Sequence, residues 1–173
     1  MSTPQGPEAT AEGFERVKAA LAVAGHPHAP VWLNDSARTA QQAADALGVL
    51  VGQIAKSVIF RRRSDEAAVL VITSGDRRVD AAKVSALVGP VGRADADFVK
   101  ARTGFSIGGV SPLAHTSTPV TLIDRDLFRF DAIWAAAGHP HGVFRLSPAD
   151  LERLTGAPVH DVTEVVVTSG VSP

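Results

Sequence analysis

Two β-rich runs, residues 57–62 (Ser-Val-Ile-Phe-Arg-Arg) and 69–73 (Val-Leu-Val-Ile-Thr), flank the polar turn Arg63-Ser64-Asp65-Glu66. Two such runs joined by a short polar turn read as an antiparallel hairpin. A hairpin argues against a purely parallel sheet, even though strands and helices alternate elsewhere in the chain. With seven Phe, two Trp and no Tyr, the core around that hairpin must be built from Val, Leu, Ile and Ala.

The remaining elements follow from spacing and caps. Phe14, Val17, Leu21 and Ala24 recur at helical intervals, and Gly25 ends the run. Val31-Trp32-Leu33 reads as a short strand. Thr39 with Gln42 three residues later forms a capping-box signature for a helix ending at Gly48. Asp80 caps a helix carrying Lys83, Val84 and Leu87, which Gly89-Pro90 stops. Asp95 opens another that Gly104 closes. Residues 120–123 read as a buried strand ending at Asp124, and residues 143–146 as the next strand. Leu127, Phe130, Ile133 and Trp134 form an apolar patch with the spacing of a helix or an irregular turn. Ser147-Pro148 opens a helix in the favoured way and Gly156 ends it. Val159, Val162 and residues 165–167 are expected to supply a last edge strand. Residues 1–13 are expected to be a flexible lead, 14–167 one domain, and 168–173 a tail.

The 173 residues are enough for one ordinary domain. The absence of Cys excludes disulfides, a thiolate nucleophile and cysteine metal sites, and is compatible with a cytoplasmic location. The polar start lacks the features of a secretory signal, and no apolar run is long enough to span a bilayer, so no membrane partner is expected. A net charge of −1 is unlike that of a protein coating duplex nucleic acid, so any nucleic-acid contact must be local, such as a strand end.

The candidate site rests on two stretches. Residues 104–113, Gly-Phe-Ser-Ile-Gly-Gly-Val-Ser-Pro-Leu, place two glycines where a ligand can approach the backbone, and Pro112 stiffens the exit. Such a loop can aim N–H groups at a carbonyl or phosphate oxygen. Residues 53–60, Gln-Ile-Ala-Lys-Ser-Val-Ile-Phe, put Lys56 at the mouth of an apolar strand. Taken singly, Lys56 reads as a solvated strand-end lysine and Gly108-Gly109 as a turn. No His-Glu-x-x-His and no nucleotide phosphate loop is present.

Three blocks in order change that reading. Residues 53–60, the run Ser-Gly-Asp-Arg-Arg-Val-Asp (74–80) leading to Lys83-Val84, and Gly-Gly-Val-Ser-Pro-Leu-Ala-His (108–115) resemble the YbaK-type editing domains. These are aminoacyl-tRNA deacylases related to the editing insertion of bacterial prolyl-tRNA synthetase. The resemblance runs from about residue 14 to about residue 160. It implies a mixed α/β (α+β) single domain with a mixed, largely antiparallel sheet and helices packed around it. It also implies hydrolysis of the ester joining a wrong amino acid to the terminal adenosine of tRNA, in trans and without a cofactor, with a synthetase as a further possible partner. The family's functional lysine falls on Lys56 and its Gly-x-x-x-Pro loop on Gly108–Pro112. Ala114 departs from the pattern, since close relatives often carry glycine before the histidine.

On this reading Lys56 fixes the terminal phosphate, and N–H groups around Gly108, Gly109 and Val110 hold the developing oxyanion. The attacking water is activated by the substrate's own ribose hydroxyl, as the resemblance suggests. Val110, Ser111, Pro112, His115 and Ser57 are substrate-binding candidates, with His115 equally suited to bracing the loop. Lys83, Arg61 and Arg62 are candidates for a tRNA contact and otherwise solvated charges. The repeated Gly-His-Pro-His at 25–28 and 138–141 would offer four histidines to zinc if the loops met, but proline between the histidines points the rings apart. No metal is expected. A non-catalytic module binding an aminoacyl or nucleotide ligand is the alternative function.

Overall fold

Every residue of the second hairpin arm is buried, which makes it the axis of the sheet. The computed structural model describes residues 11–166. The elements are α1 (Glu12–Val23), β1 (Val31–Trp32), α2 (Ala40–Leu47), β2 (Ile54–Arg62), β3 (Ala68–Ser74), α3 (Ala81–Val88), β4 (Val91–Arg93), α4 (Ala96–Thr103), β5 (Val120–Asp124), β6 (Ile133–Ala136), β7 (Gly142–Leu146), α5 (Pro148–Thr155) and β8 (Val159–His160), with short 3₁₀ turns at Val51–Gln53 and Arg125–Arg129. The strand order is β1-β7-β6-β2-β3-β5-β8, with β4 also against β2.

The sheet is mixed, as the hairpin and the resemblance led one to expect. The pairs β1/β7, β2/β3, β2/β4 and β6/β7 are antiparallel, whereas β2/β6, β3/β5 and β5/β8 are parallel. Alternation along the strands separates two apolar layers. Leu70, Ile72 and Ile123 pack with Val17 and Leu21 of α1, Val99 of α4 and Leu151 of α5. Val69, Val71 and Leu122 pack with Val84 of α3 and with Val162. A third cluster joins Ala43 and Ala44 of α2 to Ile54 and Trp134. A central strand covered on both faces needs a nearly continuous apolar run, which residues 68–73 supply.

The caps form as their residues dictate. Thr39 and Gln42 make the reciprocal capping box, and Gly48 closes α2 in the left-handed conformation. Asp80 accepts from the N–H groups of Ala82 and Lys83, and Asp95 from that of Phe98. Asp124, fully buried, accepts from Asp126 N–H and from Val162 N–H 38 residues away in sequence.

Four local expectations change. The patch at 127–134 is neither one helix nor one turn: a 3₁₀ turn is followed by β6. Strand β4 arises from three residues that carry a glycine, too short to announce themselves. The last strand is only Val159–His160. Thr163 makes an isolated bridge to Val79, while Val165 and Val166 are exposed and unpaired. Helix α1 starts at Glu12, within the segment expected to be a flexible lead. Residues 1–10 of that lead, Val167 and the tail at 168–173 lie outside the described residues.

One consequence of the topology positions the site. β3 follows one edge of β2 from Ala55 to Arg61. The other edge is divided: β6 takes Ile54 and Ala55, and β4 takes Phe60, Arg61 and Arg62. Residues 56–59 have no strand partner on that side. Ile54 C=O accepts from Gly75 N–H, and Arg62 N–H donates to Ala67 C=O, so the even-numbered residues turn their backbone groups toward β3. By the alternation of an antiparallel ladder, Ser57 and Ile59 present their N–H and C=O to the gap.

Candidate functional site

A cavity of about 390 Å³ opens over this gap. Its walls include Lys56 and Ser57 of β2, Arg38 and Thr39 before α2, Gly108 and Val110 of the glycine loop, and Trp134 of β6. The volume is that of a small-molecule site. Among the described residues no carboxylate, imidazole or thiol lines it.

Lys56 is half-buried, and among the described residues its ammonium has no hydrogen-bond or ion-pair partner. Burial pulls its pKa below that of a free lysine, the nearby Asp76 carboxylate opposes this, and Arg78 adds to it. Asp76 is itself committed, lying 3.1 Å from Arg77 and 3.0 Å from Arg129. Burial pushes the Asp76 pKa up, but the Arg129 hydrogen bond and the two guanidinium charges outweigh it, so the carboxyl stays ionised. Thr73 stands directly across the ladder from Lys56, and its buried hydroxyl, like that of Ser57, has no partner among the described residues. Buried hydroxyls without partners are uncommon. Ser57 lines the cavity, whereas Thr73 of β3 does not, and strand alternation puts the two hydroxyls on opposite faces of the sheet.

The glycine loop divides its residues between environments. Gly108 has φ +95° and lies against Arg38, whereas a Cβ on Gly109 would fall 2.8 Å from the His139 backbone. The Gly109 N–H donates to Ser106 C=O at 3.0 Å, whereas the N–H groups of Ile107, Gly108 and Val110 have no acceptor among the described residues. Ser111 is fully buried, and its hydroxyl accepts from Leu113 N–H at 3.2 Å. His115 Nε2 lies 2.6 Å from Ser111 C=O, so Nε2 carries the proton. Burial lowers the pKa of this imidazole, with Arg16 adding to the effect and the Ser111 contact opposing it. The ring meets Phe105 edge-on, and Ala114 before it sits at φ +67°.

Of the residues singled out in the sequence, Lys56, Ser57, Gly108 and Val110 share the cavity at β2. Gly109 lines an adjoining cavity of about 820 Å³ with Trp32 and His139. Pro112 and His115 line a separate one of about 600 Å³ beside Leu87 and Val88. Lys83 Nζ donates to Thr163 C=O at 2.7 Å and pairs with Asp161 at 3.1 Å. Arg62 pairs with Asp65 at 2.8 Å, and Arg61 with Glu66 at 3.4 Å. The two Gly-His-Pro-His loops are used differently. His26 Nε2 contacts Arg145 C=O, whereas His139 and His141 stack on Trp32. Among the described residues no group of three or more His, Cys, Asp or Glu is arranged to hold a metal.

Sequence reasoning passed over Arg38 and Trp134. Trp134 is one of two tryptophans in an aromatic-poor chain, a signal that could have drawn notice. Arg38 carries no such mark; it is placed by the capping box that starts α2 at the cavity rim.

Residues 34–154 match the model of the aminoacyl-tRNA editing domain family. The chain belongs to this family. The matched span contains the whole gap in β2, the glycine loop and β6. The uncharacterized protein YwhH of Bacillus subtilis (strain 168) is 32% identical over 121 residues, which cover 69% of this chain and 76% of that protein. Among solved structures, a candidate trans-editing enzyme for prolyl-tRNA synthetase superposes with a TM-score of 0.83 at 40% identity, covering 89% of this chain and 98% of its own. The hypothetical protein APE2540 does so with a TM-score of 0.80 at 30% identity, covering 86% and 99%. No helix among the described residues is long and apolar enough to cross a membrane.

Proposed function

We propose that this editing-domain protein is a deacylase acting in trans in the cytoplasm, hydrolysing the ester of mischarged aminoacyl-tRNA. The observation that carries this reading is the half-buried, unpartnered Lys56 ammonium sharing a cavity with Gly108 and Val110. An unpaired cation held out of bulk water is costly unless an anion arrives, and the phosphate of the terminal adenosine is such an anion.

In this reading Lys56 binds that phosphate and holds the acylated ribose in the cavity. The amides of Gly108 and Val110 face the aminoacyl carbonyl, where they stabilise the oxyanion formed when water attacks its carbon. Gly109 supports them by fixing the turn through Ser106. The unpaired edge of β2 at Ser57 and Ile59 offers an N–H and a C=O to the amino acid's own polar groups. Val110 and Trp134 limit the size of the side chain admitted. The tetrahedral intermediate collapses with the ribose oxygen as leaving group, releasing the amino acid and intact tRNA. With no acid, imidazole or thiol lining the cavity among the described residues, the neighbouring ribose hydroxyl relays the proton, accepting one from the attacking water as it passes its own to the departing ribose oxygen. An aminoacyl ester is reactive enough for positioning and one or two hydrogen bonds to suffice.

The same lack of a protein base also suits a non-catalytic module that binds an aminoacyl or nucleotide ligand. Incubating the purified protein with tRNAs mischarged with alanine, serine, cysteine or threonine separates the two. The deacylase reading expects enzyme-dependent release of at least one amino acid. Tight binding with no release from any of them would favour the binding module. Adding a prolyl-tRNA synthetase to the same assay tests whether a partner supplies tRNA selection.

A further inference from the structure

The adjoining cavity of about 820 Å³ holds the aromatic and basic groups that the proposed chemistry does not use. Trp32, 44% exposed, stacks on His139 at 4.5 Å and on His141 at 5.1 Å between ring centroids. The two imidazoles are only 5.5 Å apart, so they share one side of the indole, because rings on opposite faces would be separated by nearly the sum of the two stacking distances. Phe14 abuts the indole edge-on at 5.1 Å. These contacts fix the plane of an exposed tryptophan at the price of surface hydrophobicity, in a chain with only two tryptophans.

Charge points the same way. Arg16, Arg38 and Lys100 line this cavity, with Glu12 as its single acidic residue among those described. Arg16 is held by Ala114 C=O and the Phe105 ring, and Lys100 contacts Gly104 C=O. The Arg38 guanidinium has no partner among the described residues, and Arg38 lines both this cavity and the one at Lys56. Gly108 and Gly109 divide in the same manner, one to each side. A chain entering the Lys56 cavity by its terminal nucleoside therefore crosses Arg38 and the two glycines to reach the indole.

We infer that the Trp32–His139–His141 cluster is a stacking platform for the unpaired nucleotide preceding the terminal adenosine, with Arg38 joining Lys56 on the single phosphate that links the two. This rests on the deacylase reading for its substrate. Base stacking on an aromatic side chain tolerates any base and needs a nearby cation for the backbone, and both are present. The local basic groove also explains how a chain of net charge −1 engages RNA at a strand end.

The test compares Trp32→Ala and Trp32→Phe on mischarged tRNA and on the corresponding aminoacyl-adenosine 5′-monophosphate, which keeps the phosphate facing Lys56 but lacks the preceding nucleotides. The expected result is a roughly tenfold rise in KM for the tRNA in Trp32→Ala, unchanged turnover of the aminoacyl-adenosine 5′-monophosphate, and substantial recovery in Trp32→Phe. Equal loss on both substrates, or no loss on either, would overturn the platform. A second readout needs no catalysis. In a Trp134→Phe background, the cytidine-cytidine-adenosine trinucleotide should quench Trp32 emission, and Arg38→Ala should weaken that quenching. If the wild type releases no amino acid yet the trinucleotide quenches Trp32, the deacylase reading fails and the platform stands. A Trp32 that ignores the trinucleotide but responds to a synthetase marks a protein-docking face, and the platform is then wrong.

Discussion

Two lysines in this fold meet opposite fates. Lys83 has its charge consumed by the protein: Asp161 on one side, Thr163 C=O on the other, tying α3 to the segment after β8. Lys56 lies across from a buried threonine, and among the described residues neither that hydroxyl nor the ammonium has a partner; burial depresses the Lys56 pKa. The carboxylate that acts on it, Asp76, is held by two arginines. The first arrangement is complete without a ligand. In the proposed reading an incoming anion completes the second, which sits on the one stretch of β2 that neither β6 nor β4 covers.

The largest difference between the two should appear in activity. Lys56→Ala is expected to lower kcat/KM for deacylation by about 100-fold, the scale of a mispositioned substrate, with native circular dichroism. Lys83→Ala should leave kcat/KM within about twofold while costing about 1 kcal/mol in urea unfolding, the scale of a partly exposed charged hydrogen bond. If the two variants exchange these phenotypes, the contrast is wrong.

The adjacent glycines sharpen the same division between function and structure. Gly109→Ala drives a Cβ into the His139 backbone and should destabilise the fold by about 1–3 kcal/mol, as overpacking does. Gly108→Ala meets only the Arg38 side chain at 3.4 Å, although its φ of +95° adds backbone strain. Its loss of activity should therefore exceed what its change in thermal midpoint explains.

Protonation offers a subtler separation. Because the folded-state pKa of Lys56 is depressed, the ammonium disfavours folding below that pKa, and the penalty fades as pH rises toward 10.5. Lys56→Met should thus melt no lower than the wild type at pH 7, whereas Lys83→Met should melt lower. His115 has a depressed pKa too, so its contribution to stability is present above the ordinary pKa of 6.5 and is lost as pH falls below it. His115→Gln should flatten that acid limb in a pH series of thermal melts. The smallest effect concerns Ala114, a non-glycine residue at φ +67°. Ala114→Gly should raise stability by no more than about 1 kcal/mol, since relief of left-handed strain is offset by glycine's entropy.

The contrast between the two lysines also shows what was legible before the structure. The hairpin, the caps at Thr39, Asp80, Asp95 and Ser147, and the glycine stops could be read because each depends on residues a few positions apart. β6 could not: Ile133-Trp134-Ala135-Ala136 runs into Ala137, alanine favours helix, and only pairing with β7 and β2 makes the segment a strand. β4 was hidden for a similar reason, since Gly92 in a three-residue strand has no side chain to signal burial. Lys56 and Gly108 were legible as candidates from the order of three sequence blocks. The gap between them was not, because it depends on where β6 leaves β2 and β4 joins it, two non-local pairings. The separation of Gly109, Pro112 and His115 from the Lys56 cavity has the same origin: neighbours in a turn face different sides of the sheet edge.

The central claim is that the Lys56 ammonium awaits the substrate's phosphate. It is tested most directly by following the Lys56 side-chain resonance through a pH titration, with and without a non-hydrolysable 3′-aminoacylamide of adenosine 5′-monophosphate. The account predicts that the depressed pKa rises when this analogue binds and stays where it is with the same analogue lacking the phosphate. A Lys56 pKa that the phosphate leaves unmoved, in a complex shown to be saturated, would contradict it.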